Sequence, residues 1–387
     1  MKPIRLAILG ATGMAGREAV LHQYCFDQKG GQYAILPCVT GSDANVGKKY
    51  GAVFREKEQA LARNLPFWTS RDCPVQYGDM TVDPADPDVI AKKADFVISA
   101  LDSGVAKVLE PELTQRGVHV FSNDSSYRWA KDIPLLVPEV NYHTALPMIR
   151  AQKTEGKHVC NTNCTIKGYV ALLDALMRLS EIKEVTVVTQ QSVSGKGDKI
   201  ADPEYTNRIL GNVIDDWSDD SGHNAEEWKS SCEPLRIFGY ADTKEDAERI
   251  RRKWITGEDP GNAFPIHSHT TRVPVQFGHL ENITIEFGES VSIYNLKKYL
   301  SEYEAPARAW TLPTTYKKMF VILDSMPEPK RDVYAGCGMA IVLGDFKQFS
   351  PNKVSLWSLT HNLRTGATWA GRQGLELYLQ EFENFKF

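Results

Sequence analysis

Ile4-Arg-Leu-Ala-Ile-Leu9 runs directly into Gly10-Ala-Thr-Gly13-Met-Ala-Gly16 and then into Arg17-Glu-Ala-Val-Leu-His-Gln-Tyr24. The first stretch reads as a buried strand and the last as a helix. Glycine between them serves a tight turn, a close approach of backbone to a pyrophosphate, and close packing of helix on strand. The spacing is G-x-x-G-x-x-G rather than G-x-G-x-x-G, so an ordinary strand-to-helix turn is the competing reading. Read as a dinucleotide loop, the stretch offers Gly10, Thr12, Gly13, Met14, Ala15 and Gly16 to a cofactor.

Downstream the alternation continues. Tyr33–Thr40, Ala94–Ala100 and Val118–Ser122 read as strands, and about Val105 to Arg116 as a helix. Strands alternating with helices predict a parallel, doubly wound α/β sheet with its ligand at the carboxyl ends of the strands. Thr40, Ser99, Ala100, Leu101 and Asn123 fall there. The middle of the chain changes character: Val185–Thr189 and Asn282–Phe287 read as half-buried strands of the antiparallel sort. Tyr316–Leu323 and Met339–Leu343 have similar apolar content, Ser218–Gly222 and Gly257–Gly261 are polar loops, and Ala370–Gln380 reads as a helix.

Asn161-Thr162-Asn163-Cys164-Thr165 opens an amphipathic run with apolar residues at 166, 170, 173, 176 and 177. That spacing is helical with one buried face. A cysteine opening a helix meets unpaired N–H groups and the positive end of the dipole, which favour the nucleophilic thiolate; a lone cysteine otherwise reads as a small core residue. Thr271-Arg272-Val-Pro-Val-Gln-Phe-Gly-His279 adds an arginine able to grip a carboxylate or phosphate and a histidine able to move protons. Fully extended, Arg272 and His279 stand about 23 Å apart, unless the chain bends at Pro274 or Gly278. Together the loop, cysteine and histidine suggest an aldehyde-level oxidoreductase working through a thioester or hemithioacetal.

The chain resembles the aspartate-semialdehyde dehydrogenase family. The matching stretches, in order, are GATGMAG at 10–16, FSNDSSYRW at 121–129, VPEVN at 137–141, NTNCT at 161–165, TQQSVSGKG at 189–197, EEWK at 226–229, TRVPVQFGH at 271–279 and NLRTGA at 362–367. The resemblance implies a Rossmann-type doubly wound parallel sheet plus an α+β catalytic and dimerisation domain with a mainly antiparallel sheet. It sets a dinucleotide-binding domain at 1–162, completed by a C-terminal helix within 360–387, and the second domain at 163–359. It implies NADPH-dependent reductive dephosphorylation of L-aspartyl-4-phosphate to aspartate 4-semialdehyde and phosphate, on the route to lysine, threonine and methionine. Cys164 would be the nucleophile, His279 the acid/base, and Gln191 the residue orienting the acyl group. Arg272 would clamp the α-carboxylate, Glu226 the α-amino group, Lys229 and Arg128 the phosphate, with Asn163 beside them. Ser194, Gly195 and Asn362 join the cofactor-binding set.

For the cofactor, the resemblance implies NADP, with NAD the alternative. In the loop Thr40–Tyr50, Ser42 fills the serine position that holds a 2′-phosphate in relatives, but Ala44 stands where an arginine is expected. Lys48 or Lys49 would compensate as point charges, whereas Asp43 would favour NAD through a ribose hydroxyl. An N-acetyl-glutamyl-phosphate reductase is disfavoured by Asn163-Cys164-Thr165. A malonyl-CoA-type reductase and a non-catalytic nucleotide sensor are the alternatives, the second opposed by the intact Cys164, Gln191, Arg272 and His279.

The remaining composition narrows the class. At 387 residues the chain exceeds one usual core, so two domains are expected. A net charge of -4 with pI near 6.2 gives no sign of a nucleic-acid partner. Seven cysteines without regular spacing fit a reducing compartment, and no stretch reads as a membrane span or signal peptide. A cytoplasmic protein is expected, and the resemblance implies a homodimer or homotetramer built through the middle domain. Cys160 and Cys164 with His267 and His269 lack zinc-site spacing, so no metal is expected.

Overall fold

The computed structural model of the chain describes residues 3–28 and 33–387. Residues 1, 2 and 29–32 of the expected first domain lie outside the described residues. Two six-stranded sheets organise the rest. The first contains β1 (Ile4–Leu9), β2 (Ala34–Val39), β3 (Phe96–Ser99), β4 (His119–Ser122), β5 (Leu135–Leu136) and β6 (His158–Asn161), in the order β2-β1-β3-β4-β6-β5 and parallel throughout. The second contains β7 (Ile182–Ser192), β8 (Ile266–Val273), β9 (His279–Phe287), β10 (Phe320–Ile322), β11 (Ile341–Ser350) and β12 (Lys353–Thr360), in the order β10-β11-β12-β9-β7-β8. Its pairings are antiparallel except β7 with β8 and β10 with β11. The α/β class expected from alternation in the first part and from half-buried strands in the middle is the class observed.

Glycine makes the first turn possible. Gly10 has φ +67°, and a Cβ there would stand 2.5 Å from the Ala100 carbonyl oxygen. A Cβ on Gly16 would stand 2.1 Å from the Gly10 carbonyl oxygen, so the helix Met14–Gln28 sits directly on the turn.

The run after Cys164 folds as the helix Ile166–Met177, but it is not one-faced. Ile166, Tyr169, Val170, Leu172, Leu173 and Leu176 are all fully buried. The helix belongs to one core with Val185, Val187, Ile283 and Ile285 of the second sheet and Phe121 and Val159 of the first. Each such aliphatic side chain contributes about 1.5–3 kcal/mol on burial. The helix Trp369–Phe382 returns to the first sheet: a Cβ on Gly371 would meet Asn161, and one on Gly374 would meet Leu136 and Phe121. Among the described residues no helix is long and apolar enough to cross a membrane.

Two strands differ from the sequence reading. Tyr316–Leu323 shortens to β10, because Met319 takes φ +43° and interrupts the extended chain before it. His279, expected ahead of a strand, is the first residue of β9. The chain reverses between Val273 and His279 through Gly278, at φ +97°, so the extended 23 Å separation does not arise.

Candidate active site

The carboxyl ends of the first sheet open on a cleft of about 830 Å³ shared with the second unit. Gly10, Thr12, Gly13, Met14 and Ala15 line it at one end, with Ser42, Ala100, Leu101 and Asn123. The start of the helix Met14–Gln28 therefore faces the cleft, where its unpaired amides suit a pyrophosphate. Ser194, Gly195 and Asn362 line the other end with Cys164, Asn163, Arg128 and Lys229. Three expected cofactor residues lie behind the lining instead. Gly16 is pressed on Gly10, Thr40 is buried with its Oγ1 accepting from Gly10 N at 3.1 Å, and Ser99 is buried at the end of β3. They shape the loop from beneath.

Cys164 lies between β6 and the helix Ile166–Met177, and is half-buried. Its Sγ is 3.2 Å from His279 Nε2. Ser192 N–H donates to His279 Nδ1 at 3.2 Å, so the neutral ring carries its proton on Nε2 and offers it to Sγ. Asn362 ties this corner together: its Oδ1 accepts from Gly278 N at 2.9 Å and Ser192 Oγ at 3.1 Å, and its Nδ2 donates to Ser194 Oγ at 2.9 Å.

The thiol is not activated in the way its place before a helix suggests. Burial pushes Cys164 up to about 12, helped by the Glu226 carboxylate, against the pull of Arg272, Arg128 and Lys229. The residue stands two positions ahead of Ile166, so loss of water outweighs the helix terminus. Burial, and then the neighbouring Arg272 charge, holds His279 well below its usual 6.5. The resting pair is thiol and neutral imidazole.

Behind the cysteine the charges are paired. Asn163 Oδ1 accepts from Thr165 N at 2.9 Å, and its Nδ2 donates to Glu226 Oε1 at 2.8 Å. Gln191 Nε2 reaches Thr165 Oγ1 at 3.2 Å and Glu226 Oε1 at 3.3 Å. Lys229 Nζ donates to Glu226 Oε2 at 3.4 Å, from the same face of the helix Ala225–Ile237, which Asn224 caps. Arg128 donates Nη1 to Glu233 Oε1 at 3.0 Å and Nη2 to the Asn123 carbonyl at 2.9 Å, leaving Nε buried without a hydrogen-bond partner in the protein. Arg272 donates Nη1 to the Ser192 carbonyl at 2.8 Å and Nε to Asp216 Oδ2 at 3.3 Å. Glu226, Gln191, His279 and Arg272 are thus gathered immediately beneath the cleft surface rather than on it.

Glu233, Asp216 and Lys57 have no counterpart in the sequence reading. Glu233 lies on the same helix as Glu226, seven residues on, which is its one visible signal. Lys57, on the helix Tyr50–Asn64, lines the cleft with Ser42, Asp43 and Lys199. Lys49, expected near a 2′-phosphate, donates to the Asp79 carbonyl instead. Among the described residues no three His, Cys, Asp or Glu side chains gather as metal ligands.

Comparison with known proteins matches this arrangement. Residues 5–146 match the semialdehyde dehydrogenase NAD-binding domain, and residues 173–365 the semialdehyde dehydrogenase dimerisation domain. The aspartate-semialdehyde dehydrogenase of Archaeoglobus fulgidus is 30% identical, over 97% of this chain and 98% of that protein. A malonyl CoA reductase (NADP) of Metallosphaera sedula is 26% identical, over 98% of both. The crystal structure of Candida albicans aspartate-semialdehyde dehydrogenase with NADP superposes with a TM-score of 0.73 at 26% identity, over 97% of this chain and 98% of that one. Sequence, fold and cleft agree that the chain is a nicotinamide-dependent oxidoreductase belonging to the aspartate-semialdehyde dehydrogenase family.

Proposed function

We propose that this enzyme reduces L-aspartyl-4-phosphate to L-aspartate 4-semialdehyde and phosphate with NADPH, through a thioester on Cys164, in lysine, threonine and methionine biosynthesis. The observation that carries the reading is the 3.2 Å contact of Cys164 Sγ with His279 Nε2, at one end of a cleft whose other end is the Gly10–Ala15 loop. In the first step the thiol sulfur bonds to the acyl carbon, the acyl–phosphate bond breaks, and the thiol proton leaves on the phosphate. His279 Nε2–H faces the sulfur and stabilises the thiolate as it forms by a hydrogen bond, keeping its own proton, so that the single proton reaching the departing oxygen is the thiol's. A bound NADPH supplies the hydride that reduces the thioester. The buried Arg128 Nε, with Lys229, suits the phosphate; Arg272 suits the α-carboxylate and Glu226 the α-amino group.

The cleft fits a dinucleotide by its glycine turn, its helix start and its size. Lys57 and Lys199 beside Ser42 favour a 2′-phosphate, hence NADP over NAD. The division we read is a dinucleotide-binding domain at 1–162 completed by the returning helix and a second domain at 163–359, which is supported by a cleft lined from both sheets' units. The dimerisation-domain match supports assembly, and a cytoplasmic homodimer is the form proposed.

A second reading is acyl-CoA reduction, favoured by the malonyl CoA reductase relative and by Glu226 being occupied by Asn163, Gln191 and Lys229. One assay separates the two. Purified enzyme should reduce NADP with aspartate 4-semialdehyde only when phosphate is present. Turnover of malonyl-CoA with NADPH, without the phosphate-dependent reaction, would replace the first reading by the second.

A further inference from the structure

The Asp216 carboxylate has no solvent exposure, and cations surround it. Lys196 Nζ lies 2.9 Å from Oδ1 and Arg208 Nη1 lies 3.7 Å from it, while Tyr205 hydroxyl and Arg272 Nε reach Oδ2 at 3.2 and 3.3 Å. The neighbouring Trp217 ring lies over the Arg272 guanidinium, 4.3 Å from its carbon to the ring centroid. With an edge held by Asp216 and a face by Trp217, Arg272 is only 2% exposed. A substrate carboxylate cannot engage the guanidinium fork while this arrangement persists, because Asp216 already uses one of its edges.

That seat adjoins the reacting sulfur. A Cβ on Gly195 would stand 2.8 Å from Arg272 Nη1 and 3.4 Å from His279 Cε1, and His279 in turn touches Cys164. The segment that brings Asp216 there is a surface loop folded on Asp215, whose Oδ1 accepts from Trp217 N at 3.0 Å, Ser218 N at 3.1 Å and Asn224 Nδ2 at 3.1 Å. It is flanked by Gly211 at φ +72° and Gly222 at φ +77°, neither with any atom near its would-be Cβ. Residues 218–223 are exposed. A backbone pair between Ile214 and Arg272 pins the segment two residues before Asp216, so the carboxylate can leave without the whole segment detaching.

We propose that Asp216 is a built-in carboxylate seated on the anion site of Arg272, and that a substrate carboxylate binds by exchange with it. Asp216 then sets, through Arg272, how tightly carboxylate-bearing substrates are held. The inference rests on Arg272 being the carboxylate anchor of the reading above.

Two alkylating reagents of nearly one shape provide the test: iodoacetate carries a carboxylate and iodoacetamide does not. Their relative rates at Cys164, at fixed pH and ionic strength, report the anion seat without turnover. Asp216→Asn should raise the iodoacetate-to-iodoacetamide ratio about tenfold, the size of one charge-assisted contact. The same change in an Arg272→Met background should leave the ratio where Arg272→Met alone puts it. In the native chain, succinate should alter the Trp217 emission, read as the difference from Trp217→Phe. An unchanged or lowered ratio in Asp216→Asn, a rise that survives Arg272→Met, or a silent Trp217 would each overturn the proposal. A chain that shows the ratio change yet fails to turn over aspartate semialdehyde would sink the substrate assignment and keep Asp216 on its seat.

Discussion

The two ends of the cleft are built on opposite plans. The nucleotide end is built on backbone, a glycine turn, a helix start and the ends of parallel strands, with the charges of Asp43, Lys57 and Lys199 beside Ser42. The substrate end is mostly charge, and nearly every charge has an internal partner: Arg128 with Glu233, Lys229 with Glu226, Arg272 with Asp216. A backbone site binds by shape and is set before the ligand arrives. A paired-charge site is stable when empty, because no buried ion is left alone, and must exchange partners to bind.

The largest effect should come from the atom on which the substrate end acts. Cys164→Ser is expected to lower turnover by about 10⁴-fold or more while NADP(H) affinity, measured by fluorescence titration, stays within a few-fold of the parent. A parallel loss of cofactor affinity would show that the two ends are not independent. His279→Ala should lower kcat by about 10²–10⁴-fold with a smaller change in KM. The pH profile carries its own sign. Because His279 is held below 6.5, the acid limb of kcat/KM should lie below pH 6.5. Because the thiol is pushed up to about 12, the thiolate fraction, and with it the iodoacetamide rate at Cys164, should climb about tenfold per pH unit from pH 7 to 9. A plateau across that range would mean a preformed thiolate–imidazolium pair instead.

At the nucleotide end, Gly16→Ala places a methyl group where the Gly10 carbonyl stands, and overpacking of this kind costs roughly 1–3 kcal/mol. A lower Tm together with weaker NADP(H) binding is expected; an unchanged Tm would mean that the turn can relax, and that shape is not what it preserves. The smallest change tests one of the two lysine contacts proposed at that end. Lys57→Ala should cut the kcat/KM preference for NADP over NAD by about tenfold or less, since a partly exposed contact to phosphate is worth only about 1 kcal/mol. An unaltered preference would move the 2′-phosphate to Lys199.

This division also explains what could be read from sequence. The nucleotide end was legible because its chemistry is local: Ile4–Leu9, the glycines and the following helix are contiguous, and β1 has the bounds of its apolar run. The substrate end depends on distant residues meeting. Arg272 and His279 look about 23 Å apart on an extended chain, and only the reversal through Gly278 brings both of them beside Gly195. The environment of the Cys164 thiol is hidden in the sequence for the same reason. Its place before a helix is visible in sequence, whereas its burial beside Glu226, sixty-two positions away, is not. Lys57 escaped notice because the path of the helix Tyr50–Asn64 past the cleft has no marker in the spacing from Ser42.

The helix Trp369–Phe382 has a consequence for how the molecule comes off the ribosome. It covers the first sheet through Gly371 against Asn161 and Gly374 against Phe121, and most of its residues are buried. The sheet it packs on is complete by Asn161, yet residues 162–368 are synthesised before it exists. The nascent first unit must therefore wait with one apolar face open, while the second unit is made and folds beside it. Synthesis rate across that interval, and holdase chaperones that mask the open face, should weigh on the yield of folded enzyme more than the stability of the finished protein does.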